Sequence, residues 1–247
     1  MTNDDIILKF VPKLIDIQGI DLLRASLQEE KALVYGEIHG IQENAEVVYS
    51  LVHQLDIKQI ALENSPNIAK FIHSASKGVY DFSLIDIDIF DTSILSLEMA
   101  KTIAILLSEG QIEHIEYIDT YFDRLDPSKM DHPASPQDRE QEIADNLLAI
   151  DRSIPTLCLL GQWHTQASPV SMDDGNVHYS ALHRIRKILP DVPLVHNVYG
   201  SGTAFNDGQI LNLPGRQDVK DTYCVEMISD RDFDLHIPTG HHSLLKR

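Results

Sequence analysis

The sequence predicts an α/β fold with a mainly parallel central sheet, flanking helices and a site at the carboxyl ends of the strands. Short apolar runs typical of buried strands recur at 32–35, 59–62, 115–118, 156–160, 194–198 and 223–228. Apolar residues at helical spacing lie between several of these runs, at 42–55, 97–107 and 137–150. Because parallel strands need crossover connections and become buried on both faces, this alternation favours a layered fold.

The length and composition predict one domain. The chain has 247 residues, of which 43% are hydrophobic and 23% charged, as is typical of globular proteins. We expect a single α/β domain over residues 1–247. The stretch 121–137, rich in Asp and Pro, is predicted to be an exposed loop or a lid over the site. The run 81–93 mixes acidic and apolar residues and predicts a half-exposed strand or an amphipathic insertion.

Charge and cysteine usage restrict the partners and the compartment. A formal net charge of -18 and a pI near 4.9 oppose binding to nucleic acid or to an anionic membrane, because phosphate recognition needs a basic surface. The first residues lack the basic and apolar segments of a signal peptide, so we expect a cytoplasmic protein. Cys158 and Cys224 each lie in an apolar run, which indicates reduced core thiols.

Polar residues follow four of the predicted strands at the point where each strand ends. Residues 36–39 and 161–164 both read Gly-x-x-His, and Glu63, Asn64 and Asp119 follow two other strands. A glycine after a strand allows a sharp turn, and a histidine three residues later can project into the crevice beyond the sheet. We therefore expect one functional site that combines the two turns with Glu63.

These residue types are compatible with two mechanisms. In one, His39 and His164, with Glu63 or Glu37, bind zinc or manganese, and the metal activates a water molecule. In the other there is no metal, and Glu37 or Glu63 acts as general base while a histidine polarises a carbonyl or protonates a leaving group. Asp119 is a weaker candidate for a metal ligand, an acceptor for a histidine or a helix cap. The sequence leaves the choice open.

The two turns and two further segments together match the motifs of a known superfamily. In chain order, residues 36–40 read Gly-Glu-Ile-His-Gly, 61–64 read Ala-Leu-Glu-Asn, 138–146 read Asp-Arg-Glu-Gln-Glu-Ile-Ala-Asp-Asn, and 161–164 read Gly-Gln-Trp-His. This combination resembles the erythromycin esterase-like, ChaN-like and TIKI/TraB superfamily, over residues 33–166. Ile143 stands where the helix motif of that group has methionine, a change that affects only packing.

Carried over residue by residue, the resemblance implies a central constellation of four residues, Glu37, His39, Glu63 and His164. It also implies that Arg139 points toward the substrate or an acidic ligand. Glu37 and Asn146 could instead orient other residues of the site. The branches of the superfamily differ in chemistry, since macrolide esterases resemble metal-independent hydrolases, the TIKI branch metal-dependent proteases and the ChaN branch haem-binding lipoproteins.

The predicted function is a hydrolase that attacks an ester or amide carbonyl with activated water, on a small-molecule or peptide substrate. The alternative is a haem- or metal-binding protein without catalysis. Arg139, Asn64 and Trp163 are the predicted substrate-binding residues, although Trp163 could equally serve packing. His241 and His242 are expected to lie in a solvated tail. Neither the cofactor nor the oligomeric state follows from the sequence.

Overall fold

The computed structural model of the protein describes residues 13–84, 95–120, 136–206 and 209–243. The strands are β1 (Ala32–Glu37), β2 (Gln59–Leu62), β3 (His114–Tyr117), β4 (Thr156–Gly161), β5 (Val170–Ser171), β6 (Val177–His178), β7 (Leu194–Tyr199), β8 (Thr203–Asn206), β9 (Gln209–Asn212), β10 (Cys224–Met227) and β11 (Asp232–Ile237). The helices are α1 (Ile17–Glu30), α2 (Gln42–Leu55), α3 (Ala69–Ala75), α4 (Leu97–Ser108), α5 (Pro136–Leu148) and α6 (Ala181–Ile185). Short 3-10 turns occupy Pro66–Ile68, Phe82–Leu84 and Gln162–Thr165.

Within the described ranges, seven strands form the central sheet in the order β10-β11-β7-β1-β4-β2-β3. Every neighbouring pair is parallel except β10 and β11, which are antiparallel. β1 lies between β4 and β7, and Glu37 is in register with Gly161. The predicted α/β fold with a mainly parallel sheet is therefore confirmed, and the two Gly-x-x-His turns begin side by side.

The sheet divides the core into two layers because alternate residues of a strand face opposite sides. On one side, Leu33 of β1 and Leu157 of β4 pack in a cluster that includes residues of α1, α2, α3 and α4. On the other side, Val34 and Cys158 pack against α5 and α6. β1, β2 and β4 are buried almost along their whole length, which explains why they read as continuous apolar runs.

Some elements differ from the sequence-based expectations. α1 was not predicted; it begins after Asp16, whose side chain accepts a hydrogen bond from Gly19 N at 2.7 Å. β11 and the hairpins β5–β6 and β8–β9 were also missed. β11 pairs in parallel with β7 although its sequence, Asp-Phe-Asp-Leu-His-Ile, is not a continuous apolar run. Only its apolar residues and His236 are buried.

Two predicted segments fall largely outside the described residues. Of the expected loop or lid at 121–137, residues 121–135 lie outside them, and the last two residues begin α5. Of the run 81–93, only its first four residues are described, and three of these form the turn Phe82–Leu84. In the part of the chain that the structure describes, no helix combines the length and apolar character needed to cross a membrane.

The expectation of a solvated tail at His241 and His242 is wrong for the backbone, although the His241 side chain is 65% exposed. Gln42 N donates to the His241 carbonyl at 2.8 Å, and Ile41 forms an isolated antiparallel bridge with His242. Ser243 is buried beside them. The turn after β1 and the start of α2 expose backbone polar groups, and residues 240–243 pair with those groups instead of remaining in water.

Candidate functional site

The carboxyl ends of β1, β2, β3 and β4 meet at one edge of the sheet, as predicted. Glu37 ends β1, Glu63 follows β2, Asp119 follows β3, and the turn Gln162–Thr165 follows β4. The side chains of Glu37, Glu63, Asp119 and His164 are all buried or nearly so. Parallel strands bring these positions together because all four chains leave the sheet at the same edge.

Glu63 lies at the centre of the site, and both of its carboxylate oxygens have partners. Oε1 lies 3.0 Å from His164 Nε2 and 3.0 Å from an Arg139 guanidinium nitrogen. Oε2 accepts the backbone N–H of Gly161 at 2.5 Å and lies 3.8 Å from His39 Nε2. Glu63 thus brings together the turn after β1, the turn after β4 and helix α5.

His39 is fixed at one ring nitrogen and open at the other. Its Nδ1 lies 3.1 Å from Glu37 Oε1, whereas the 3.8 Å from Nε2 to Glu63 Oε2 exceeds hydrogen-bond length. The His39 side chain is 22% exposed, compared with 6% for His164 and 3% for Glu63. A Cβ on Gly161 would come within 2.5 Å of His39 Nε2, so glycine leaves the space that the ring occupies.

The turn that carries His39 rests on a buried polar network. Asn44 Nδ2 donates to the Ile38 carbonyl at 2.7 Å, and Tyr199 donates its hydroxyl hydrogen to Asn44 Oδ1 at 2.7 Å. Asn197 Nδ2 donates to Asn44 Oδ1 at 3.0 Å and to the Tyr35 hydroxyl. Such a network is geometrically specific, because a side chain that shifts leaves a buried polar group without a partner.

Glu140 is a central residue that the sequence reasoning missed. Its Oε1 lies 2.8 Å from His164 Nδ1, and its Oε2 accepts the N–H of Ala181, the first residue of α6, at 2.6 Å. His178 Nε2 lies 3.4 Å from the same Oε1. His164 is therefore held between two buried carboxylates. The available signal was the position of Glu140 directly after Arg139 in the superfamily-like helix motif.

The close charges shift the pKa values of the cluster. Burial by itself raises the pKa of Glu63, but the charge and hydrogen bond of His164, with His39 and Arg139, lower it far more. Burial lowers the pKa of His164, but Glu63 and Glu140 raise it well above the ordinary histidine range. At neutral pH the cluster therefore holds an ionised Glu63 and a protonated His164.

The pKa of His39 is raised as well. Burial lowers it, and this effect is outweighed by the hydrogen bond to Glu37 and the charges of Glu63 and Glu37. The shift has the same physical origin as that of His164, namely nearby carboxylates that favour the imidazolium. His39 differs from His164 in that a single carboxylate, Glu37, is hydrogen-bonded to its ring.

Arg139 joins Glu63 to Asp119. Its Nε lies 3.1 Å and one terminal nitrogen 2.6 Å from Asp119 Oδ2. Asp119 is thus paired with an arginine in this arrangement. Among the described residues, Asp119 Oδ1 and Glu37 Oε2 are buried carboxylate oxygens that have no hydrogen-bond partner.

The remaining predicted residues occupy different positions around this cluster. Asn64 is buried, and its Oδ1 accepts the N–H of Ser65 at 2.9 Å, which stabilises the turn after β2. Asn146 Nδ2 donates to the Ile118 carbonyl at 2.9 Å and ties α5 to the end of β3. Trp163 is 45% exposed and its ring lies 4.5 Å from the ring of His178.

The predicted metal ligands are not arranged for a metal ion. Both ring nitrogens of His164 are committed to Glu63 and Glu140, and Glu63 also accepts from Arg139 and Gly161. The Arg139 guanidinium, 3.0 Å from Glu63 Oε1, already supplies a positive charge beside this carboxylate. In the described portions of the chain, no group of three His, Cys, Asp or Glu side chains could hold a metal ion. The residues therefore do not fit zinc or manganese as they stand.

Comparison with known proteins identifies the fold. No protein-family model matches the chain, and no curated protein sequence matches it. A crystal structure of a succinoglycan biosynthesis protein superposes with a TM-score of 0.66 at 10% identity, covering 97% of this chain and 95% of that one. A structure of Pasteurella multocida toxin, described as having a thiol-protease-like catalytic triad in its C-terminal region, gives a TM-score of 0.50 at 11% identity, over 88% of this chain and 28% of that one. At these identities, the similarity concerns the fold alone.

Proposed function

We propose that this protein is a hydrolase that attacks an ester or amide carbonyl with water activated by His39. The observation that carries the proposal is the state of the His39 ring, with Nδ1 at 3.1 Å from Glu37 and Nε2 beyond hydrogen-bond length from Glu63. A histidine with one nitrogen fixed by a carboxylate and the other open to a reactant is suited to general-base catalysis.

In the proposed reaction, the reactive form of His39 is the neutral imidazole, which forms above the raised pKa of this residue; it donates its Nδ1 hydrogen to Glu37 and keeps the Nε2 lone pair. Nε2 removes a proton from water as the water oxygen bonds to the carbonyl carbon. The carbonyl π electrons move to its oxygen and give a tetrahedral oxyanion. When this intermediate collapses, the carbonyl reforms, the bond to the leaving oxygen or nitrogen breaks, and His39 returns the proton to that atom.

The buried charges beside His39 would favour this chemistry electrostatically. Arg139 and protonated His164 provide positive charge on one side of Glu63, which stabilises a developing oxyanion in a site shielded from water. Glu63 balances these two charges and keeps them in place. A thiol nucleophile has no support here, because Cys158 is buried and burial raises its pKa to about 12, and Cys224 is buried as well.

The resemblance to the erythromycin esterase-like, ChaN-like and TIKI/TraB superfamily supports the same class of reaction, and we propose membership of that superfamily. Of its branches, the metal-independent esterases agree best with the commitment of His164 and Glu63 to partners within the protein. Haem or metal binding without catalysis remains the alternative: His39 Nε2 could serve as a ligand, whereas both ring nitrogens of His164 are engaged by carboxylates.

An apolar surface beside His164 supports a substrate with an apolar group. Trp163 precedes His164, is 45% exposed, and stacks on His178. Val170 is paired with His178 across the β5–β6 hairpin, so the two side chains share one face. Met172, two residues further on and 38% exposed, continues that face. These residues would contact the acyl or alkyl part of the substrate.

The test is a panel of p-nitrophenyl esters and aryl amides, assayed with wild type, His39→Ala and His73→Ala. His73 is an exposed histidine in the last turn of α3 and serves as the matched control. We expect His39→Ala to lose about 100-fold or more in kcat while His73→Ala keeps full turnover. A folded His39→Ala that keeps wild-type turnover contradicts the proposal. Elemental analysis of the same samples decides the metal alternative, which predicts a stoichiometric metal that is lost in His39→Ala.

A further inference from the structure

Residues far along the chain hold the turn that carries His39. The Gly40 carbonyl accepts the N–H of Ser243 at 2.8 Å and the N–H of Phe205, in β8, at 3.0 Å. Gly40 has a φ of 71°, and a Cβ there would lie 1.9 Å from the Phe205 carbonyl oxygen. The residue after His39 is therefore enclosed by β8 on one side and by residues 240–243 on the other.

Residues 240–243, which we call the clasp, also bind the first turn of α2. Gln42 N donates to the His241 carbonyl at 2.8 Å, and Gln42 Nε2 donates to the His242 carbonyl at 2.7 Å. His241 N in turn donates to Glu43 Oε2 at 2.7 Å. The helix is preceded by Ile41, whose side chain makes no capping hydrogen bond. The clasp thus takes over part of the role of a helix cap.

The clasp is anchored by a buried contact with a third element. The Ser243 hydroxyl donates to Glu98 Oε2, in the first turn of α4. Ser243 is 4% exposed and Glu98 7%. Such a charge-assisted hydrogen bond in a buried place is strong and directional. The clasp therefore connects the turn after β1 to α4 as well as to α2.

We propose that the clasp is a positioning element for His39, in which Ser243 bound to Glu98 fixes Gly40 and thereby the direction of the imidazole. This inference rests on the proposed function of His39 as general base. Ser243 touches no reacting atom and acts through the Gly40 carbonyl. A general base must be held closely in place, since a displacement of about 1 Å can reduce the rate by about 100-fold.

The test compares Ser243→Ala with Ser243→Thr, which keeps the hydroxyl, and with Ser229→Ala. Ser229 is the matched control because its hydroxyl also donates to a carboxylate, Asp232 at 2.8 Å, but in an exposed turn between β10 and β11. On the best ester substrate we expect Ser243→Ala to lower kcat about tenfold with KM nearly unchanged. Ser243→Thr should recover most of kcat, and Ser229→Ala should match wild type. If Ser243→Ala does not fold, Glu98→Gln replaces it, with a smaller decrease in kcat expected.

A second measurement does not require turnover. The His39 imidazole signals in proton–carbon NMR spectra should move in Ser243→Ala and stay in place in Ser229→Ala. Unmoved His39 signals and an unchanged kcat, with only the free energy of unfolding reduced, would overturn the proposal and leave the clasp a stabilising contact. If wild type hydrolyses no member of the panel, the proposed function fails. The imidazole signals alone then test whether the clasp positions His39. A shift of these signals in Ser243→Ala supports the positioning role, and unshifted signals overturn it.

Discussion

Replacing Glu140 with glutamine removes one negative charge from the interior of the site while nearly preserving the shape of the side chain. In the native protein, Glu140 accepts hydrogen bonds from His164 Nδ1 at 2.8 Å and from Ala181 N at 2.6 Å. A glutamine can accept only through its single amide oxygen, and its NH2 group donates. One of the two donors therefore loses its acceptor, and protonated His164 keeps Glu63 as its only ionic partner.

The expected magnitude follows from these contacts. A hydrogen bond to a charged group contributes roughly 1.5–3 kcal/mol, and breaking a buried ion pair costs about 3–5 kcal/mol. Since Glu140→Gln keeps one acceptor and Glu63 remains, we expect the free energy of unfolding to fall by about 2–4 kcal/mol at neutral pH. Alanine would remove more, and a domain has only about 5–15 kcal/mol of stability in total. Glutamine is therefore the substitution to use.

The size of the loss should depend on pH. Burial alone would lower the pKa of His164, but Glu63 and Glu140 raise it in the folded protein. The stability that comes from a raised pKa is fully present below the unfolded histidine pKa and disappears as the pH rises through the folded value. The difference between wild type and Glu140→Gln should therefore be largest at neutral and mildly acidic pH and should shrink in alkaline solution.

Urea unfolding at several pH values measures this difference. Glu29→Gln, at an exposed position of α1, is the matched control and should change the stability by no more than about 0.5 kcal/mol. If Glu140→Gln unfolds at the same urea concentration as Glu29→Gln at every pH, Glu140 does not support His164 in the way described. A loss that is large but independent of pH would contradict the ionic part of the argument.

Three further changes test the site. Because Glu37 raises the pKa of His39, Glu37→Gln should move the acidic limb of the kcat–pH profile to lower pH, and an unmoved limb would place the base elsewhere. Gly161→Ala puts a Cβ at 2.5 Å from His39 Nε2, so the ring must move. We expect kcat to fall at least about tenfold and the free energy of unfolding to fall by about 1–3 kcal/mol. Full activity would show that the ring lies elsewhere. In a series of esters from acetyl to octanoyl, Trp163→Ala should remove the preference for longer acyl chains. The variant should hydrolyse the acetyl ester at the wild-type rate. An equal loss of kcat/KM on all esters would refute an apolar subsite.

The sequence was sufficient to predict the central sheet except for β11, and to single out the polar residues that follow its strands. Buried parallel strands must be apolar along their length, so β1, β2 and β4 could be recognised from local composition. The two Gly-x-x-His turns could be placed together because parallel strands end at one edge. These inferences depend on local patterns and one general property of parallel sheets, so they required no knowledge of side-chain packing.

The roles of Glu140 and the clasp depend on contacts between residues that are far apart in the sequence. Glu140 lies in a helix with other acidic residues, and its contacts with His164 and α6 distinguish it from them. β11 was missed for a related reason, because its residues Asp232 and Asp234 form ion pairs with Arg186 and Arg216, which come from other parts of the chain.

The sequence by itself determined the fold class and the identity of the residues at the ends of the strands. The tertiary structure decided how those residues are paired: Glu63 between two histidines, His164 between two carboxylates, and His39 open at one nitrogen. It also brought His241 onto Glu43, 198 positions away in the chain. The physical reason is that hydrogen bonds and charge pairs act over a few ångströms in space, and sequence separation does not specify that distance.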